Sequence, residues 1–338
     1  MAYRVLMIVD SSQIGGIETH ILNVSLLLKS KGVTCTVLFL KDHNNAVLYE
    51  RLNSSGIDYQ FANGSIKTLV SILSKLSSNT VLHTHGYKAG VLVKLTQFLH
   101  LKKVVSTYHA GEKPNGFLSL YCWLDNKLSF LSKNFAVSEL IAKELSNAQL
   151  FKNFIYRDTN SHYSKTQSGH VNIGFVGRIS HEKGPDVFLD IAKKLNTIKH
   201  AKFHLFGDGP LKNQFLPSEY VTYHGLQSPE VIWDTLDILL ITSRYEGLPM
   251  TLIEAMSKHV LVVSTAVGAI PSVIENNKNG ILIVHEDVYK MSETVERVIS
   301  LSVDQRQQLT DSAYQLYLKE YSGELQFKQL DEVYTQTT

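Results

Sequence analysis

Short apolar runs recur along the chain, and the stretches between them carry apolar residues three and four positions apart. The runs predict strands at 3–9, 34–40, 57–61, 80–83, 103–106 and 134–137 in the first half, and at 171–176, 202–206, 221–223, 238–241, 260–264 and 281–284 in the second. The periodic stretches predict helices at 18–31, 46–55, 66–76, 87–100, 117–131, 139–146, 187–195 and 229–235. Three more close the chain at 291–300, 304–320 and 324–335. Strands that alternate with helices predict βαβ units, hence α/β architecture with parallel sheets covered on both faces. Uninterrupted runs such as Ile238-Leu239-Leu240-Ile241 fit strands buried on both sides. Residues 156–170 break the pattern with Arg157-Asp158-Thr159-Asn160 and Ser164-Lys165-Thr166-Gln167-Ser168-Gly169. The expected layout is a domain over 1–158, a linker over 159–170, a second domain over 171–322, and a final helix over 323–338 that packs back on the first domain. Two doubly wound domains would face a cleft at the carboxyl ends of their strands, where ligands of such sheets bind.

Composition narrows the class. A chain of 338 residues is long for one core and suits two domains. Its 44% hydrophobic and 19% charged content is that of an ordinary soluble protein. Cys35 and Cys122 stand far apart without metal-binding spacing, so neither a disulfide framework nor a zinc site is expected, and a reducing, cytoplasmic setting is. The apolar run at 5–9 is too short for a signal peptide, and no run reaches the length of a membrane span. Charge is uneven. Residues 1–168 hold 18 Lys/Arg and 10 Asp/Glu, a net +8, whereas residues 169–338 hold 15 and 21, a net −6. A basic half fits a phosphorylated substrate or an anionic membrane. Lys88, Lys94, His100, Lys102 and Lys103 around the apolar stretch 91–99 are the expected membrane contact on the inner face of the cell membrane, and a solvated basic face fits the same residues. No nucleic-acid motif is present.

Candidate chemistry centres on the stretch from Ser243 to Met256. It leaves strand 238–241 and turns through Gly247 and Pro249 into an apolar helix. Pro249 suits a first helical position, and the N–H groups of Gly247, Leu248 and Met250 would then face an anion. Glu246 precedes the turn. Glu254 lies within the helix among Leu252, Ile253, Ala255 and Met256, a costly place for a carboxylate unless a polyol such as ribose bonds to it. A loop glutamate and a helix glutamate also occur without any ligand. Gly15-Gly16, after the first strand, lets backbone approach an anion, and equally fits a plain tight turn. It is not the fingerprint of nicotinamide enzymes. Arg178 and Lys183 share a loop after strand 171–176, where both could meet one diphosphate or simply be solvated. Gly207-Asp208-Gly209-Pro210 is a further strand-to-turn glycine pair. His83-Thr84-His85-Gly86 and Thr107-Tyr108-His109 end two strands of one sheet and would point to the same cleft. His83 and His85 are expected on opposite faces, no Asp-x-Asp follows a strand, and no metal is expected. GxSxG is absent.

Taken in order, these motifs resemble the retaining glycosyltransferase family 4 of the GT-B fold. The marks are Gly15-Gly16-Ile17-Glu18, His83-Thr84-His85-Gly86, Thr107-Tyr108-His109, Gly177-Arg178 with Glu182-Lys183-Gly184, Gly207-Asp208-Gly209-Pro210, Glu246 with Glu254 at Glu-x7-Glu spacing, and Asn279-Gly280. The resemblance spans nearly the whole chain and implies two Rossmann-like domains. It implies Arg178 and Lys183 as ligands of the donor diphosphate and Glu254 as the ribose ligand. It implies Glu246 at the sugar hydroxyls, with the N–H groups of Gly247, Leu248 and Met250 on phosphate and sugar. His109 reaches the donor sugar, Gly15 and Gly16 lie under the phosphates, and Leu226 lies near the base. Glu18 and His85 are acceptor-side candidates. The implied activity is transfer of a sugar from a nucleoside-diphosphate sugar to a glycan or lipid-linked acceptor, with no cofactor, in surface polysaccharide or lipopolysaccharide synthesis. Two other readings stand beside it: a nucleotide-sugar 2-epimerase of the same architecture, and a non-catalytic sugar-nucleotide or glycan-binding protein.

Overall fold

Val5, Met7 and Val9 face one side of the first strand, Leu6 and Ile8 face the other, and all five are buried. That two-sided burial is why the run is apolar without alternation, and it repeats through both sheets of the computed structural model. The structure describes residues 3–11, 16–100, 102–109, 117–145, 147–157, 169–215, 217–283 and 287–337, with the side chains of residues 98, 100, 117, 118 and 140 excepted. The chain divides into two compact units, Met1–Tyr156 with Gly323–Thr338, and Arg157–Ser322. Most of the expected linker, residues 159–168, lies outside the described residues.

The first unit holds seven parallel strands: β1 Arg4–Val9, β2 Cys35–Phe39, β3 Asp58–Phe61, β4 Thr80–His85, β5 Val104–Tyr108, β6 Ser132–Ala136 and β7 Ala148–Leu150, in the order β3-β2-β1-β4-β5-β6-β7. Helix Gly16–Ser30 covers one face with Ile21, Val24, Leu27 and Leu28, and helix Ile66–Lys75 covers the other with Leu69 and Leu73. Helix Glu324–Thr337 packs Leu330, Val333 and Tyr334 onto the first of these faces. The Tyr3 hydroxyl donates to Asp331 at 2.6 Å, and the Tyr334 hydroxyl meets His83 Nδ1 at 2.6 Å. The chain enters that helix through Gly323, whose φ is +105° and whose missing Cβ would lie 3.1 Å from Leu27 and Phe154.

Three expectations change here. The helix expected at 87–100 is two, Tyr87–Leu95 and Gln97–His100. Thr96 divides them, its hydroxyl donating to the carbonyls of Leu92 and Val93 in competition with the backbone. Strand β7 was not anticipated, being three residues long. Lys94 is no surface cation. Its side chain is fully buried, and its Nζ donates to Asp125 at 2.8 Å and to the Tyr108 hydroxyl at 2.7 Å. Helix Tyr87–Leu95 packs against helix Phe117–Lys127, and the charge enters the interior because a carboxylate waits there. Gly90 makes room for that carboxylate, since a Cβ on it would lie 2.1 Å from Asp125 Oδ1. Lys88 pairs with Asp10, and Lys102 and Lys103 donate to the carbonyls of Ser77 and Gln336. Among the described residues, no helix is long and apolar enough to cross a membrane.

The second unit holds six parallel strands: β8 Val171–Val176, β9 Ala201–Phe206, β10 Thr222–Gly225, β11 Ile238–Ile241, β12 Leu261–Thr265 and β13 Ile281–Ile283, ordered β10-β9-β8-β11-β12-β13. Phe188, Ile191 and Ala192 of helix Pro185–Lys194, and Val295, Val298 and Ile299 of helix Val288–Ile299, complete its core. Both sheets are doubly wound. In the first the strand order reverses between β1 and β4, and in the second between β8 and β11. Those reversals are where the loops part and leave a crevice at the carboxyl edge.

Candidate active site

In the second unit the loops after β8, β9 and β11 are stitched into one platform. Gly177 N–H donates to the Phe206 carbonyl and Ile179 N–H to that of Asp208. Gly207, at φ +129°, and Gly209 permit this approach. A Cβ on Gly207 would lie 1.9 Å from the Gly177 carbonyl oxygen, and one on Gly209 2.4 Å from that of Ile179. The glycines of Gly207-Asp208-Gly209 thus serve close packing of two loops, beyond the turn itself. Gly184, at φ +64°, lies against the end of β11, with room for no Cβ beside the Thr242 carbonyl. The Arg244 and Tyr245 N–H groups donate to the Glu182 carbonyl, and the Arg244 guanidinium grips Asp186 with contacts of 2.9 and 2.5 Å.

These anchors bring two expected site residues together. Lys183 Nζ donates to both carboxylate oxygens of Glu246, at 2.6 and 2.8 Å, and Ser243 Oγ donates to Glu246 Oε1 at 2.7 Å. The Glu246 side chain is 7% exposed and that of Lys183 28%. Lys183 therefore comes from one side of the β8/β11 reversal and Glu246 from the other. Arg178 is exposed on the same loop as Lys183, and both cations act on Glu182, whose carboxyl is held low first by the Ser180 hydroxyl. Gly247 is exposed and its carbonyl accepts from Ala269 N–H. Gly268, which carries no motif of its own, makes this possible: at φ +57° its missing Cβ would sit 2.0 Å from the Glu246 carbonyl oxygen.

Helix Met250–Ser257 follows, with Pro249 at its N-cap rather than at the expected first helical position. Pro249 adopts extended ψ of 132°, and no side chain caps the helix start. Of its first N–H groups, that of Leu252 donates to the Pro249 carbonyl, and none is met by a capping side chain. Leu248 and Met250 are half-buried beside this start. Glu254 lies half-exposed in the second turn, between the buried Leu252–Ile253 and Ala255–Met256 pairs.

Leu226, just past β10, is 77% exposed. Next to it His224 stacks on Phe206, with ring centres 4.4 Å apart and 8° between planes. His224 Nε2 meets His204 Nδ1 at 3.0 Å, His204 Nε2 meets Asn172 Oδ1 at 3.1 Å, and Asn172 donates to Asp237. Asp237 accepts from Asn172, so the Asn172 carbonyl oxygen can only accept, and the chain runs in one direction with both imidazoles neutral. Burial, followed by the neighbouring His224, pushes His204 down to about 4. A folded value below the ordinary 6.5 means that this group's stabilisation is complete above pH 6.5 and is lost as pH falls through 6.5 toward 4. Urea unfolding at about pH 7 and about pH 5 should differ by about 2 kcal/mol more in the native chain than in His204→Asn. Equal pH dependence in the two proteins would assign the effect elsewhere.

The first unit gathers the remaining candidates at the carboxyl ends of β1, β4 and β5. Strand β4 runs to His85, so His83 and His85, two apart, share one face, with ring centres 4.3 Å apart. The expectation of opposite faces is corrected by the two-residue period of a strand. His83 is held between the Tyr334 and Thr107 hydroxyls. His85 Nδ1 meets His109 Nε2 at 3.2 Å. His20, from helix Gly16–Ser30, joins them and was not anticipated, because nothing near it in sequence marks it. Glu18 is buried and accepts from Ser11 Oγ. Gly16 opens the helix with nothing within 4 Å of where its Cβ would be, while Gly15 lies outside the described residues. Asp10 binds His43 through one oxygen, at 2.9 Å, and Lys88 through the other, at 2.5 Å.

Known proteins match both halves. Residues 14–153 match the model of Glycosyltransferase Family 4, and residues 170–300 that of Glycosyl transferases group 1. The O-antigen biosynthesis glycosyltransferase WbnH of Escherichia coli is 24% identical over 288 residues, covering 80% of this chain and 83% of that protein. An uncharacterized protein of the cps region of Klebsiella pneumoniae is 30% identical over 139 residues, 39% of this chain and 38% of its own length. In fold, Anabaena HepE, solved in complex with UDP and glucose, superposes with a TM-score of 0.79 at 14% identity, over 99% of this chain and 100% of that one. The chain is a member of the group 1, family 4 glycosyltransferases and carries their two-sheet GT-B fold.

Proposed function

We propose that this chain moves a sugar, with retention and without a metal ion, from a nucleoside-diphosphate sugar to a glycan or lipid-linked acceptor during surface polysaccharide synthesis. The observation that carries this reading is the pairing of Lys183 with Glu246 across the β8/β11 reversal, beside an uncapped helix start. As the glycosidic bond breaks, negative charge grows on the leaving diphosphate and positive charge on the sugar ring. Arg178, Lys183 and the N–H groups of Gly247, Leu248 and Met250 stabilise the first. Glu246, held in place by Lys183, holds the sugar beside the second. Glu254 bonds the ribose, and Leu226 with the His224–Phe206 stack meets the base. His109 meets the donor sugar, Gly15 and Gly16 lie under its phosphates, and Glu18 and His85 serve the acceptor. WbnH, an O-antigen enzyme, and HepE, with its UDP and glucose, support the choice of donor class and pathway.

Slow hydrolysis of UDP-, GDP- and ADP-sugars, read as released nucleotide, tests it. One donor should be turned over, and Glu254→Ala should lower that rate at least tenfold by loss of the ribose bonds. Release from no donor, together with no thermal shift from any nucleotide, would sink the donor-site assignment. Epimerised donor without transfer would favour the epimerase reading.

The acceptor side meets an anionic membrane surface at the cytoplasmic face. Leu95, Leu99, Leu120, Trp123 and Phe130 are all more than half exposed, on helices Tyr87–Leu95, Gln97–His100 and Phe117–Lys127 and the short 3₁₀ turn Leu128–Leu131 that follows. The chain should sediment with phosphatidylglycerol vesicles at low salt, and Trp123→Ser should weaken this severalfold. If the native chain stays in the supernatant, the membrane part of the reading is wrong.

A further inference from the structure

The cluster of His20, His85 and His109 has a geometry that hydrogen bonding alone leaves incomplete. The three residues come from helix Gly16–Ser30, the end of β4 and the position after β5. Each offers a ring nitrogen, and the three nitrogens lie within 4.8 Å of one another. His85 Nδ1 and His109 Nε2 are 3.2 Å apart. Two imidazoles on a tetrahedral zinc ion, with bonds near 2.0–2.1 Å, place their nitrogens about 3.3 Å apart. That pair is already at ligand spacing, and His20 needs to close by at most roughly 1.5 Å to join it. Ring centres 4.8 Å apart for His20–His109, and 5.5 Å for His20–His85 and for His85–His109, make a near-equilateral set.

A further fact points to a ligand. Nε2 of His20 is buried and has no hydrogen-bond partner among the described residues, a costly state for a ring nitrogen. His83, the fourth ring of the cluster, is excluded because the Tyr334 and Thr107 hydroxyls occupy both of its nitrogens. Phe151 and Phe154 pack against His20, so the walls are apolar. His109 is partly exposed.

We propose that His20, His85 and His109 bind one first-row transition-metal dication, zinc above all, with the fourth position open. Three neutral imidazoles suit Zn²⁺, Co²⁺, Ni²⁺ or Cu²⁺, and offer nothing to Mg²⁺ or Ca²⁺, which take oxygen ligands. The ion takes no part in sugar transfer. Because it captures His109, it blocks transfer, a consequence that rests on the donor-sugar role given to His109 above.

The test is a titration of the metal-stripped full chain with Co²⁺, followed by the visible d–d absorption of cobalt. One equivalent should produce the intense bands of a four-coordinate ion, and Zn²⁺ should abolish them. His20→Phe keeps the ring packing against Phe151 and Phe154, and His85→Asn keeps a polar group. Both should weaken binding at least tenfold, while His200→Asn, at an exposed position of the second unit, should leave it unchanged. No bands, or bands unaltered in both His20→Phe and His85→Asn variants that melt like the native chain, would overturn the site. Binding with undiminished transfer would establish the site and overturn the role of His109 instead.

Discussion

Lys183→Ala is expected to lower kcat/KM for the sugar donor by about 10²–10³, the usual effect of removing one group that stabilises charge in the transition state. Lys183 is the counter-charge that Glu246 meets, and Glu246 is almost wholly buried with only Ser243 Oγ as its further described partner. Removing the lysine does two things. It takes a cation from the leaving diphosphate, and it strands a carboxylate in the interior, which costs about 3–5 kcal/mol unless that group takes up a proton. The two effects separate experimentally. Adding Glu246→Gln to Lys183→Ala should restore thermal stability while leaving the rate low. A fall in kcat with KM nearly unchanged would mean that Lys183 acts on the transition state, whereas a rise in KM alone would mean that it only holds the donor. Native rates in Lys183→Ala would remove this residue, and the charge argument with it, from the proposed reaction.

Lys94→Met should be the most damaging change away from the site. The Lys94 side chain is fully buried and Asp125 is 5% exposed, so the substitution leaves a carboxylate in the core with no cation. The expected loss is about 3–5 kcal/mol, which for a unit of this size lowers the melting temperature by on the order of 10 °C. Far-UV circular dichroism of the full chain would read it. Asp125→Leu in the same chain should return most of the loss, because an apolar pair of similar volume needs no ionic partner. If the double variant melts as low as Lys94→Met, the damage lies in packing around Gly90 and Tyr108, not in the stranded charge.

The parts of this protein legible in its sequence are those in which a residue's neighbours in sequence settle its surroundings. A run such as Ile238–Ile241 is apolar throughout because helices cover both faces of a parallel sheet, and the pattern says so without a structure. The alternation of such runs with helical stretches determined two doubly wound sheets. Turn glycines and the Glu246 to Glu254 stretch marked the family and the edge of the sheet at which to look.

What only the tertiary structure decided are the pairings between residues far apart in the chain. Lys94 has the sequence context of a surface cation, and its burial follows from Asp125, 31 positions away. Lys183 and Glu246 are 63 positions apart and meet because β8 and β11 are neighbours. Gly268 carries no local signal of the Glu246 carbonyl that packs against it. His20 shows only a helical pattern until β4 and β5 set His85 and His109 beside it. Local periodicity reports whether a side chain faces a core or water. Which charge, hydroxyl or ring stands opposite it is set by the order of strands in the sheet, a long-range choice that no short window of sequence contains.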